Sequence, residues 1–165
     1  MEHIRHPIPP LYDAESRILI LGSFPSVKSR EAAFFYGHPQ NRFWRVLATV
    51  LECPLPRSVE EKTAMLHARH IALWDTIASC DIEGSSDSSI QNVTANDLSP
   101  ILAAADIRAI FCNGATSFRL YEKYLLPQTG IPAWKLPSTS PANAAFSPER
   151  LAQAWECILP PLSEQ

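Results

Sequence analysis

The run RILILGS, Arg17 to Ser23, decides the fold. Four consecutive large aliphatic residues with no polar alternation describe a strand covered on both faces, as in the middle of a parallel sheet. The run closes on Gly22 and Ser23, a turn. Three more stretches read the same way: HIALWD (His70–Asp75), RAIFCNG (Arg108–Gly114) and AWKLPSTS (Ala133–Ser140). Each should be a buried strand that stops at small or polar residues.

Helical patterns lie between and beyond these runs. NRFWRVLATVL sets Phe43, Val46, Leu47 and Val50 on one face. SVEEKTAMLHAR opens with Ser58, and Glu61 stands three residues on, as in a capping box. NDLSPILAAA and ATSFRLYEKYL supply two more. SPERLAQAWECIL starts with Ser147 as cap, Pro148 at the first helical position and Glu149 near the positive end. Strand alternating with helix predicts an α/β protein: a three-layer α/β/α sandwich around a mostly parallel four-stranded sheet, in one domain over residues 1–165.

Composition agrees with a globular chain. Of 165 residues, 46% are hydrophobic and 19% charged, which suits a packed core rather than disorder. No apolar run nears the roughly 20 residues that span a bilayer. MEHIRHPIPPLYDAES has no apolar signal core, so a cytoplasmic protein is expected. The four cysteines form no CxxC pair, and Cys112 reads as a small core residue. His67 and His70 form an HxxH spacing that reads as surface and core histidines rather than a metal site. No metal and no cofactor are expected. The net charge of −3 makes no global case for nucleic acid, but Lys28, Arg30, Arg42 and Arg45 face Glu31 alone within their window. That segment could meet phosphates or simply be a solvated face.

In open α/β sheets, ligands bind beyond the carboxyl ends of the strands. Here every unusual motif follows a strand end: GSFPS, WDTIASC, CNG and PSTSPANA. Four polar turns should therefore converge on one rim. The stretch FFYGHPQNRFW (Phe34–Trp44) carries five aromatic residues around His38, Gln40, Asn41 and Arg42. Phe43 and Trp44 open a helix and belong to the core. Tyr36 borders glycine and a polar turn, and so leans toward a ligand. His38 either braces the loop or touches the ligand. Asn41 can cap the helix, Asp75 its own turn, and Asn113 before Gly114 can be turn chemistry.

These motifs resemble the uracil-DNA glycosylase superfamily. GSFPS (Gly22–Ser26) is similar to its first Gly-x-x-Pro turn, GHPQNRFW to a segment of its mismatch-specific branch, and LPSTSPANA (Leu136–Ala144) to its late Pro-Ser turn. FYGHPQNRFW, FCNG and LPSTSPA together most resemble the hypoxanthine-DNA (deoxyinosine) glycosylase branch, from about Ile18 to Ala144. The resemblance implies a monofunctional DNA glycosylase that flips deaminated bases out of DNA, hypoxanthine above all and uracil as a second substrate, and hydrolyses the N-glycosidic bond. It implies Asn41 and Asn113 as catalytic residues. Phe24, Tyr36, His38 and Asp75 would hold the base, with Tyr36 stacking on it. Ser23, Ser26, Ser138, Thr139 and Ser140 would hold the DNA backbone. Phe24 stands where uracil-directed branches place an Asp or Asn to position water. Where related enzymes insert a bulky wedge, this chain has Ala142–Asn143–Ala144. No lysine occupies a nucleophile position, so no lyase step is expected. DNA is the partner and a monomer is expected. The rival reading is a nucleic-acid- or nucleotide-binding α/β module without catalysis.

Overall fold

The four apolar runs become four parallel strands. A computed structural model describes residues 1–163. Its strands are β1 (Glu2–Arg5), β2 (Ile18–Gly22), β3 (Ile71–Asp75), β4 (Ile77–Ile82), β5 (Gln91–Ala95), β6 (Ala109–Asn113) and β7 (Ala133–Leu136). The principal sheet has the order β3-β2-β6-β7, parallel throughout. Its helices are α1 (Val27–Ala32), α2 (Phe43–Leu51), α3 (Val59–Ala68), α4 (Ser99–Ala104), α5 (Ala115–Leu120), α6 (Leu126–Thr129), α7 (Pro148–Trp155) and α8 (Leu159–Ser163), with a π-helical turn at Tyr121–Leu125.

Strand β2 shows why the layers form. Its side chains alternate between two cores, and Ile18 to Leu21 are all fully buried. Ile18 and Ile20 pack with Phe43, Leu47, Leu151 and Trp155 of α2 and α7. Leu19 and Leu21 pack on the other side with Ile101, Tyr121 and Leu125. Each such side chain contributes about 1.5–3 kcal/mol on leaving water. The α/β/α sandwich is thus present. Ser58 and Ser147 cap α3 and α7 by accepting from the Glu61 and Arg150 N–H groups.

Two features differ from the sequence reading. Strand β7 lies at the sheet edge with Trp134 65% exposed, so this fourth run is not covered on both faces. Beside the main sheet stands a second, antiparallel one of order β1-β4-β5. The stretch WDTIASC, expected as a polar turn, mostly belongs to it: only Thr76 separates β3 from β4. The buried Asn96 holds this corner, its Nδ2 donating to the Asp75 carbonyl at 2.9 Å and the Ile77 carbonyl at 3.1 Å. Phe24, Ile77, Cys80, Ile82 and Leu120 form the apolar contact beneath the second sheet.

Candidate active site

The carboxyl ends of the main strands open into a cleft of about 550 Å³, within the size range of small-ligand sites. Gly22 and Ser23 line it from β2, Asp75 from β3, Asn113 from β6, and Ser138 to Ala142 from the turn after β7. Phe24, Ser26, Tyr36, His38 and Asn41 complete the expected set. All eleven site residues expected from the sequence therefore line one cleft. Strand register explains part of this: Gly22 and Asp75 are directly paired.

Tyr36 is held in an unusual pose. Its φ of 52° lies in the left-handed region, which a bulky side chain rarely adopts and which costs about 1–3 kcal/mol. One ring face stacks on Phe43, with centroids 4.0 Å apart and planes 12° from parallel. Its hydroxyl accepts from Asn113 Nδ2 at 3.2 Å. Burial, and then the nearby Asp75 carboxylate, push the phenol well above its ordinary range, so it remains a neutral hydroxyl.

A hydrogen-bonded row links the amides. Asn113 Nδ2 also donates to Thr139 Oγ1 at 3.0 Å, and Thr139 Oγ1 donates to Asn41 Oδ1 at 2.9 Å. Asn113 Oδ1 accepts from the Thr139 backbone N–H at 3.1 Å. Both amide hydrogens of Asn113 are thereby engaged inside the protein. Asn41 Oδ1 also accepts from the Phe43 N–H at 2.9 Å, at the start of α2. Helix support and site membership are therefore both true of Asn41. Its oxygen has two donors, and its Nδ2 has no partner among the described residues.

The hydroxyl residues divide. Thr139 is fully buried, its hydroxyl and N–H are occupied as above, and its carbonyl accepts from the Arg42 N–H at 3.1 Å. With every polar atom engaged, it joins Asn41 to Asn113 and has no donor left for a phosphate, contrary to the sequence expectation. Ser23 donates its hydroxyl to Asp87 at 3.0 Å. Ser26 caps α1, accepting from Ser29 N and donating to Ser29 Oγ. Among the described residues the hydroxyls of Ser138 and Ser140 serve only as acceptors, from the N–H groups of Ser140 and Ala142. Their hydroxyl hydrogens remain available. His38 Nδ1 accepts from the Gln40 N–H at 3.1 Å, which braces the loop and leaves Nε2 as the nitrogen that carries hydrogen.

The basic window is mostly occupied at home. Arg42 donates to the carbonyls of Phe146, Ser140 and Asn143 at 2.6, 2.9 and 2.9 Å, clasping the turn that follows β7. Arg30 donates to the Gly84 carbonyl and lies over the Phe24 ring. Lys28 pairs with Glu31 at 3.7 Å.

Sequence reading missed two contributors. The serine-rich loop Ser85–Ser88, between β4 and β5, walls the cleft mouth, and Val27 N–H donates to Ser85 Oγ. Its composition, EGSSDSS, was the available signal. The other is His6, whose Nε2 lies 2.7 Å from Asp75 Oδ2. A lone histidine in HIRHP carries no pattern that could have revealed a partner so far along the chain.

An open α/β sheet whose strand ends surround a cleft lined by amides, hydroxyls and one buried carboxylate defines an α/β protein that takes its ligand beyond the strand ends. The chain belongs to the uracil DNA glycosylase superfamily, whose family model matches residues 9–158. It is 34% identical over 156 residues to a Methanosarcina acetivorans protein named hypoxanthine DNA glycosylase, covering 94% of this chain and 98% of that one. A Methanosarcina barkeri protein of the same name is 33% identical over 137 residues, covering 82% and 85%. A solution NMR structure from M. acetivorans, provisionally named a uracil DNA glycosylase, superposes with a TM-score of 0.81 at 34% identity, covering 97% of this chain and 99% of that one.

Proposed function

We propose that the protein is a monofunctional DNA glycosylase that removes deaminated bases, hypoxanthine first among them, by hydrolysing the N-glycosidic bond of a flipped nucleotide. The observation that carries this reading is the unpartnered Asn41 Nδ2, held at the cleft by the Thr139 and Phe43 bonds to its oxygen. The names of the two Methanosarcina relatives support the substrate class.

Extruding a base costs a few kcal/mol, which stacking and edge hydrogen bonds must offset. A flipped base can lie against the aromatic wall of Tyr36, and such stacking contributes about 1–3 kcal/mol. As the bond to C1′ breaks, positive charge grows on the sugar and negative charge on the purine. The Asn41 amide donates toward that negative charge; one fixed donor of this kind is worth about 3–4 kcal/mol. With both lone pairs of its oxygen occupied, Asn41 assists departure of the base rather than accepting a proton from water. Asn113 acts through its neighbours, fixing Thr139 and the Tyr36 hydroxyl. Phe24 is buried and offers no polar group, so the reaction depends on stabilising the leaving base more than on activating water. Water then completes C1′, and the freed purine takes up the proton. Ser138 and Ser140 give their hydroxyl hydrogens to phosphates beside the extruded nucleotide.

The protein acts as a monomer, and its four unpaired cysteines suit the reducing cytoplasm. An end-labelled duplex with one deoxyinosine tests the function. Alkali-dependent strand breakage after incubation is the expected result. A mobility shift with no breakage would instead establish a binding module without catalysis.

A further inference from the structure

Beneath the cleft lies a buried pair that the reaction as described does not use. The side chains of His6 and Asp75 are only 3% and 6% exposed, with His6 Nε2 2.7 Å from Asp75 Oδ2. The backbone N–H of Ile8 donates to His6 Nδ1 at 3.1 Å. That bond makes Nδ1 an acceptor, so the ring hydrogen sits on Nε2 and points at the carboxylate. The segment is tied down around it. His6 N–H donates to the Ala78 carbonyl at 2.7 Å, Trp74 Nε1 to the Ile8 carbonyl at 3.1 Å, and Leu11 bridges Leu73. Phe24, Phe35 and Trp74 surround the imidazole, with centroids 5.8, 6.5 and 6.1 Å away. The imidazole is thus bonded through both ring nitrogens and enclosed by three aromatic rings.

The other carboxylate oxygen, Oδ1, faces the Gly22 backbone. A methyl group on Gly22 would collide with it and stand 3.1 Å from the Tyr36 hydroxyl. Asp75 is the most deeply buried carboxylate lining the cleft.

We propose that His6 is a positioning residue that fixes Asp75 as a pure hydrogen-bond acceptor, and that the pair selects bases carrying a ring N–H at their Watson–Crick edge. The proposal rests on the glycosylase reading. Its chemistry separates each deaminated base from its parent, while guanine and thymine, which carry the same ring N–H, are left to other contacts. Adenine N1 and cytosine N3 are lone pairs, which a carboxylate repels. Deamination turns both into N–H groups, in hypoxanthine and uracil, which a carboxylate accepts. One acceptor thus reads the change that the two lesions share. The locked histidine keeps it an acceptor by occupying Oδ2.

The test compares excision of hypoxanthine with that of unsubstituted purine, which carries a lone pair at N1. Duplexes containing deoxyinosine or deoxynebularine are assayed under single-turnover conditions with the same preparation. The ratio of the two rates does not depend on the folded fraction, so a destabilised variant is still informative. Wild type should favour hypoxanthine. In Asp75→Asn, His6 Nε2–H claims the amide oxygen and turns Nδ2 toward the base, so the ratio should fall by about 10²-fold. Adding His6→Ala frees that amide to rotate, and the double variant should recover about 10-fold of the preference. An Asp75→Asn ratio equal to wild type, or a double variant no more selective than Asp75→Asn, overturns the proposal alone. Wild type inert on every deaminated base overturns the glycosylase reading and the proposal together.

Discussion

Thr139 Oγ1 donates to Asn41 Oδ1 across 2.9 Å, joining two residues 98 positions apart and leaving the Nδ2 end of the Asn41 amide without a partner among the described residues. Because Phe43 N–H donates to the same oxygen, an aspartate at position 41 would keep both bonds. It would lose the Nδ2 donor and set a negative charge beside a departing anion. Asn41→Asp should therefore melt near the wild-type temperature while single-turnover excision falls by about 10²-fold or more. Asn41→Ala should lose a similar factor in rate and also about 1 kcal/mol of stability. Thermal melts paired with single-turnover assays check both, and a wild-type rate in Asn41→Asp would remove the amide from the chemistry.

Gly22 is required by what stands above it. Gly22→Ala places a methyl group against Asp75 Oδ1 and the Tyr36 hydroxyl, both fixed by other partners. The carboxylate must shift, so excision should drop at least about 10-fold, with a stability loss of about 1–3 kcal/mol from overpacking. Urea unfolding and excision rates on the same preparation measure the two effects. Full activity would mean that the carboxylate has room to move.

Arg42 offers a test of clasp against phosphate ligand. Lysine keeps the charge but cannot reach three carbonyls as a planar fork does. Arg42→Lys should weaken binding to deoxyinosine duplex several-fold and expose the turn at Ser138–Phe146 to limited proteolysis. The salt dependence of binding should keep its slope, because no phosphate contact is lost. A shallower slope with unchanged proteolysis would make Arg42 a DNA ligand.

Alkaline stability should report the buried Cys112. Burial raises its thiol from 9.0 to about 12, with Ser117 partly opposing. The unfolded chain then releases this proton first, and the folded state binds more protons across that window. Stability is thus fully present below about pH 9 and is lost as pH climbs toward 12. The Tyr36 phenol, also raised, adds a loss that begins above about pH 10. Chemical denaturation at pH 8 and pH 10.5 should show a smaller decline in Cys112→Ala than in wild type. Equal declines would mean that the thiol titrates alike folded and unfolded.

Strands β2, β3 and β6 of the principal sheet were legible because they are apolar in continuous runs, which burial on both faces explains, whereas the edge strand β7 carries the exposed Trp134. The second sheet was not legible. EHIR, IASCDI and QNVTA mix charged, amide and small residues, and their burial follows contacts with distant segments rather than any period of their own. The candidate site divides similarly. Asp75, Asn113 and the turn at Ser138–Ser140 announce themselves by ending apolar runs. Thr139 does not reveal its burial, since a hydroxyl in a Pro-Ser turn reads alike whether it faces water or an asparagine. His6 was invisible because its meaning lies wholly in a partner 69 residues away.

That distance has a consequence for how the protein comes into being. Strand β2 lies between β3 and β6, and the row from Asn41 to Thr139 closes only across 98 residues. Such non-local pairings form late, after the entropy of closing large loops has been met. A chain still on the ribosome that has emerged only through β3 lacks the Ala78 carbonyl that ties down His6, the central neighbour β6 and the turn that orients Asn41. The row of amides at the cleft is therefore completed only in the last stage of synthesis, and a prematurely terminated chain would lack it.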